Sequence, residues 1–98
     1  MTLIYHPRIR DDLREVLDYY DARSDTVGDR FFAEFEAAID IIKQSPNRFH
    51  PLDELRRRCN LKRFPYHVIY EIHEEEIRVT VLRHHKRHPS YGMRRTWR

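Results

Sequence analysis

The chain has 98 residues, of which 40% are hydrophobic and 12% aromatic, with a net charge of +3. This length allows one domain with a single core, and the supply of apolar residues excludes a disordered chain. Its one cysteine excludes an internal disulfide, and no apolar run is long enough to span a membrane. Without a signal-peptide pattern, we expect one cytoplasmic domain over residues 1–98, with no membrane partner.

The charge is divided between the two halves. Residues 1–54 hold 7 Lys and Arg against 12 Asp and Glu, a net of −5, whereas residues 55–98 hold 12 against 4, a net of +8. We interpret the acidic residues as solvated outer faces of helices. The second half is expected to build a basic surface suited to phosphates or to an acidic protein segment.

The first half predicts a short strand and two helices. Leu3 to Tyr5 reads as a strand, and Pro7 suits the first helical position because it lacks an N–H. The first helix should end near residue 23, and Pro46 should stop the second. Their apolar stripes are Ile9, Leu13, Val16, Leu17 and Tyr20, then Val27, Phe31, Phe35, Ala38, Ile39 and Ile42. A short connection with cap candidates Ser24, Asp25 and Thr26 predicts an antiparallel hairpin.

The second half changes to a period of two, which predicts strands. One strand is expected over 57–64, and Glu74 and Glu75 form a tight turn between the next two. The alternating residues Val68, Tyr70, Ile72, Ile77, Val79 and Val81 predict one buried face. The resulting class is α+β: a short N-terminal strand and an antiparallel helical hairpin packed on a small, mainly antiparallel sheet. Residues 86–98 are expected to be a basic C-terminal tail.

Common catalytic and cofactor motifs are missing from the sequence. Two glycines do not make a phosphate-cradling loop, and Cys59 in a strand is expected to pack rather than react. His84 and His85 are sequence neighbours, but adjacent strand residues point to opposite faces. We therefore expect no metal and no cofactor.

Basic residues of the second half have aromatic residues between them. Cations neutralise phosphates and aromatic rings stack on single-stranded bases, so this combination is compatible with RNA binding. A solvated charged surface is the alternative interpretation. The expected nucleic-acid-binding residues are Arg56, Arg57, Lys62, Arg63, Lys86, Arg94 and Arg95.

Several segments over residues 3–91 occur in a characteristic order. Asp11-Asp12-Leu13 with Tyr19-Tyr20 lies in the first predicted helix, and residues 28–46 cover the second. The remaining segments are Arg57 through Lys62-Arg63-Phe64-Pro65-Tyr66, Val68-Ile69-Tyr70-Glu71, and the closing His85-x-Arg87-x-Pro89-x-Tyr91. In this order they resemble the RelE/ParE toxins, of the plasmid-stabilisation type. The resemblance implies a toxin of a type II toxin–antitoxin system, held inactive by a cognate acidic antitoxin.

The resemblance leaves the target open, because some relatives cleave messenger RNA on the ribosome and others inhibit DNA gyrase without catalysis. Ribosome-dependent cleavage is slightly favoured by the basic, histidine-rich end. Aligned on Tyr70, however, Asn60 and His67 stand where nuclease-like relatives carry Lys and Arg. For an endoribonuclease, the expected catalytic residues are Arg58, His67, His85, Arg87 and Tyr91, with a histidine as base or acid. A non-toxic binding module remains a further alternative.

Overall fold

The fold is a helical hairpin packed on one face of a five-stranded sheet. The computed structural model describes residues 1–97, and Arg98, the last residue of the expected tail, lies outside the described residues. Along the chain the elements are β1 (Thr2–Tyr5), α1 (Ile9–Asp21), α2 (Val27–Gln44), β2 (His50–Pro51), β3 (Arg56–Asn60), β4 (Tyr66–Ile72) and β5 (Glu76–His84). None of the helices in residues 1–97 has the length and apolar character needed to cross a membrane.

The sheet has the order β1-β5-β4-β3-β2, in which β1 runs parallel to β5 and the other neighbours are antiparallel. The predicted α+β class, with a mainly antiparallel sheet, is confirmed. The turn at Glu74 and Glu75 is closed by a hydrogen bond from the His73 N–H to the Glu76 carbonyl, at 2.8 Å. β5 occupies an internal position, so its environment determines much of the core.

The helical stripes form the core much as their spacing predicts. Ile9 and Val16 of α1 are buried with most of the α2 stripe against β4 and β5. Phe31 contacts Tyr20 of α1 and Tyr66 of β4, with ring centroids 5.9 and 5.2 Å apart. α1 begins at Ile9, two residues after the position predicted from Pro7. The apolar pattern therefore predicts the helix faces better than the helix ends.

The strand predicted over 57–64 is wrong at its C-terminal end, because β3 stops at Asn60. The chain turns before Tyr66, whose N–H donates to the Phe64 carbonyl at 2.8 Å. This turn carries the Phe64 ring onto Tyr20 and Phe31, at centroid distances of 5.3 and 5.1 Å. Aromatic packing and Pro65, which cannot donate to a ladder, thus replace strand pairing here.

The prediction of one buried sheet face is also wrong. Ile69 pairs with Val81 but Tyr70 pairs with Val79, so Thr80 is an extra residue that forms a β-bulge. The bulge shifts the alternation of β5 by one, and Val81 lies with Ile69 on the face away from the helices. Both residues are fully buried on that second face.

The C-terminal segment, residues 86–97, covers part of the sheet face that points away from the helices. At Gly92, with φ of +79°, an added Cβ would lie 2.5 Å from the Val81 Cγ2, so only glycine fits both the turn and the contact. The Arg83 guanidinium donates to the carbonyls of Pro89 and Tyr91 at 2.7 and 2.9 Å. The described part of this segment packs against the sheet.

β5 extends beyond β1 and would leave an open edge after Val79. Asp12 of α1 fills part of that gap by accepting the Leu82 N–H at 3.0 Å. Arg95 of the C-terminal segment donates to the Thr80 carbonyl at 3.0 Å and forms a bidentate pair with Asp12 at 2.6 and 2.7 Å. The Asp12–Arg95 pair thus satisfies strand groups that a neighbouring strand would otherwise pair.

Replacing Phe35 with alanine should destabilise the protein by about 3–5 kcal/mol, because it removes a core ring that is only 4% exposed. Phe32→Ala is the matched control, since the Phe32 ring is 38% exposed on the same helix. Urea unfolding of both variants measures the difference. Equal losses of stability would contradict this assignment of the α2 faces.

Candidate functional site

A cluster of basic side chains lies on the sheet face away from the helices. In the register of the sheet, His67 of β4 stands opposite Asn60 of β3 on one side and Arg83 of β5 on the other. Arg58 shares a face with Asn60, and His85 follows the end of β5. We call Arg58, His67, Arg83 and His85 the sheet-face basic cluster. Three of its members are catalytic candidates from the sequence.

Hydrogen bonds connect the cluster in a chain. The Arg83 Nε donates to the His67 Nε2 at 2.8 Å, and the His67 Nδ1 lies 2.9 Å from the His85 Nδ1. Arg58 reaches the same His85 nitrogen through Nη2 at 3.2 Å. Because a guanidinium can only donate, His67 must carry its proton on Nδ1 and His85 on Nε2. Both rings are therefore neutral in this arrangement.

The pKa values of the cluster follow from burial and from positive charge. Burial, followed by the charges of Arg58 and Arg83, lowers the pKa of His67 to about 3. Burial and the charges of Arg58 and His84 also lower the pKa of His85. Burial and Arg58 lower the pKa of the Arg83 guanidinium. At neutral pH the charge of the cluster resides on its two arginines.

Arg87 and Tyr91, the other two catalytic candidates, belong to a second group beside α1. The Arg87 guanidinium stacks on the Tyr91 ring at 3.8 Å and pairs with the Glu15 carboxylate at 3.2 Å. The Tyr91 hydroxyl donates to the Asp12 Oδ1 at 3.1 Å. Burial, followed by the charge of Asp12, raises the pKa of Tyr91. The five candidates therefore form two groups rather than one.

The expected nucleic-acid-binding residues have different environments. Arg95 is buried against Asp12 and is not available to a nucleic acid, because both arms of its guanidinium are occupied. Arg57 donates to the carbonyls of Asn47 and Phe49 at 3.2 and 2.7 Å, and Arg56 lies 3.7 Å from Asp53. The remaining four, which are exposed, are Lys62, Arg63, Lys86 and Arg94.

Sequence reasoning missed two important residues, Asp12 and Arg83. Asp12 was assigned to a solvated helix surface, yet it is buried. Its position three residues after Ile9 and four before Val16 places it on the apolar stripe, which was a usable signal. The burial of Arg83 depends on the bulge at Thr80 and on the C-terminal segment, neither of which alternation predicts.

The neutral, buried His67 should make the protein less stable in acid. Its pKa is about 3 in the folded chain against an ordinary 6.5, so between these values only the unfolded chain gains the proton. The contribution of neutral His67 to the free energy of unfolding is fully present above about pH 6.5. On going from pH 7.5 to pH 5, we expect this free energy to fall by up to about 2 kcal/mol. Urea unfolding at the two pH values measures this loss.

His67→Gln is the control for this titration, because glutamine keeps an acceptor for Arg83 and a donor for His85 but does not titrate. Between pH 7.5 and pH 5, the His67→Gln variant should lose much less stability than the unmodified protein. An identical acid response in the two proteins would show that His67 does not remain neutral.

Comparisons with known proteins identify the fold and the family of this chain. The family model described as the ParE toxin of the type II toxin–antitoxin system parDE matches residues 3–89. Comparison with curated proteins finds no match. A solved chain from the chromosomal ParDE system of P. aeruginosa superposes with a TM-score of 0.75 at 16% identity, over 86% of this chain and 95% of that chain. At this identity the superposition establishes the fold alone, and the family model adds the family. The chain belongs to the ParE toxin family of type II toxin–antitoxin systems.

Proposed function

We propose that this protein arrests growth by binding DNA gyrase and inhibiting it, without catalysing a reaction. The observation that supports this proposal most strongly is the enclosed environment of His67, the leading candidate for a catalytic base. Its side chain is 1% exposed, and both ring nitrogens are engaged within the protein. A base must come within hydrogen-bond reach of the proton that it removes. This enclosed ring does not meet that requirement.

The other candidates support the same proposal. Cleavage of RNA needs a base, a cation for the charged phosphorane and a proton donor around one phosphate. Arg87 and Tyr91 are instead held by Glu15 and Asp12 of α1. His85 is exposed, but its Nδ1 faces Arg58 and His67, and its Nε2 carries the proton. His85 therefore presents a donor at neutral pH and no basic lone pair.

An acidic antitoxin is the proposed partner that restrains the toxin. Membership of the family and the similarity to a chain from a ParDE system support this part of the proposal. The four exposed cations Lys62, Arg63, Lys86 and Arg94 provide complementary charge for an acidic segment that folds as it docks. A partner of this kind competes with the target if their surfaces overlap.

The direct experiment compares the purified protein in two assays, gyrase supercoiling and a translation system with ribosomes and messenger RNA. We expect supercoiling to be inhibited and the messenger RNA to remain intact. His67→Gln serves as the matched variant, because its buried site should not touch a target and its inhibition should stay within about twofold of the unmodified protein.

Ribosome-dependent cleavage by the unmodified protein, with gyrase unaffected, would overturn the proposal. In that case the loss of cleavage in a folded His67→Gln variant would identify imidazole chemistry. Circular dichroism of the variant at the assay pH establishes that it is folded.

A further inference from the structure

The four side chains of the sheet-face basic cluster have no acidic partner among the residues that the structure describes. None of the hydrogen bonds or ion pairs of Arg58, His67, Arg83 and His85 within residues 1–97 goes to a carboxylate. Several other arginines pair with an acid, as in Arg8–Asp11, Arg78–Glu76, Arg87–Glu15 and Arg95–Asp12. The cluster is therefore a local excess of positive charge built into the sheet.

The burial of Arg83 makes this excess of positive charge energetically unfavourable. Its side chain is largely buried, with the residue 8% exposed, and its described partners are one imidazole and two carbonyl groups, all neutral. A buried cation without a counter-charge is unfavourable unless hydrogen bonds or a nearby anion compensate it. The carbonyls satisfy the donors of Arg83, but they supply no net negative charge. An anion bound over the cluster would supply it.

We propose that the sheet-face basic cluster is a binding site for a phosphate group, with Arg58 and His85 as the contacting donors. Arg58 is partly exposed and His85 is exposed, so both are accessible from solvent. A guanidinium offers planar N–H donors that match the oxygens of a phosphate. This inference does not depend on which target the toxin inhibits.

The cluster holds its donors in place before any ligand arrives. Asn60 Oδ1 accepts from the Arg58 Nε at 2.8 Å, and His85 accepts from its Nη2 at 3.2 Å. The proton on the His85 Nε2 follows from the donors that surround its other nitrogen, and no residue among 1–97 accepts that proton. Prearranged donors reduce the side-chain entropy that binding costs.

His85 should donate to the ligand without taking up a proton. The groups facing His85 are Arg58 from β3, His67 from β4 and His84 from β5, and Arg83 stands behind His67. Burial, followed by the charges of Arg58 and His84, lowers the pKa of His85. His85 therefore stays neutral, with its Nδ1 accepting from Arg58 and its Nε2–H directed to a phosphate oxygen.

The test uses the full chain and inorganic phosphate, with the histidine ring nitrogens followed by NMR at constant ionic strength. We expect a saturable shift at His85. Arg58→Gln should weaken phosphate binding by about tenfold or more, since a charge-assisted hydrogen bond is lost. Arg10→Gln removes one exposed arginine of α1, on the other side of the sheet, and should bind phosphate as the unmodified protein does.

Two comparisons separate the possible sources of the phosphate group. A short single-stranded oligonucleotide that displaces phosphate and shifts His85 at lower concentration would support a nucleic-acid backbone as the ligand. Displacement only at concentrations above that of free phosphate would support a small phosphate compound. Acetate that binds the cluster as tightly as phosphate would overturn the proposal in favour of an acidic protein segment.

A linear, unsaturated response of His85, or equal losses in the Arg58 and Arg10 variants, would also overturn the site. If Arg58→Gln does not fold, Arg58→Lys keeps the charge while removing the planar fork. That variant should bind phosphate more weakly than the unmodified protein. Unchanged affinity in folded Arg58→Lys would contradict contact through the guanidinium.

Discussion

The ion pair between Asp12 and Arg95 is the interaction on which the arrangement of this protein depends. β1 covers only the first part of β5, and the strand would otherwise continue as an open edge past Val79. Asp12 and Arg95 take the Leu82 N–H and the Thr80 carbonyl, and they neutralise each other in a buried place. Removing one partner of such a pair leaves an isolated buried charge, which typically costs about 3–5 kcal/mol. One pair thereby joins α1, β5 and the C-terminal segment.

The Asp12–Arg95 pair closes the edge of β5, and the positions of the two groups of candidate catalytic residues follow from this closure. Once the C-terminal segment lies on the sheet, its carbonyls enclose Arg83. Burial, followed by the charges of Arg58 and Arg83, then lowers the pKa of His67 and keeps it neutral. The same closure brings Tyr91 to Asp12 and Arg87 to Glu15. Within residues 1–97, the cations of the second half are thus sorted into structural pairs, exposed side chains and one cluster without an acidic partner. This sorting is the basis of our proposal that the toxin acts by binding rather than by acid–base catalysis.

The sequence predicts those parts of the fold that depend on periodicity. The stripes of α1 and α2 and the turn at Glu74 and Glu75 are confirmed, because each is fixed by neighbours in the sequence. The bulge at Thr80 is not predictable in this way, since it is a property of the pairing between β4 and β5. Strand pairing brings Arg58, His67 and His85 together, so their grouping can be predicted from the sequence. The separation of Arg87 and Tyr91 from this group cannot. The buried role of Asp12 was visible only as a carboxylate on an apolar stripe.

Native-state hydrogen exchange at the Leu82 amide tests the closure of the β5 edge most directly. We predict that this N–H exchanges as slowly as the paired amides of β4 and β5, because Asp12 accepts it in a buried position. Arg95→Met should accelerate exchange at Leu82 while leaving Ile77, which lies where β1 pairs with β5, slow. Exchange of the Leu82 amide in the unmodified protein at the rate of the exposed Glu74 and Glu75 amides would contradict the account.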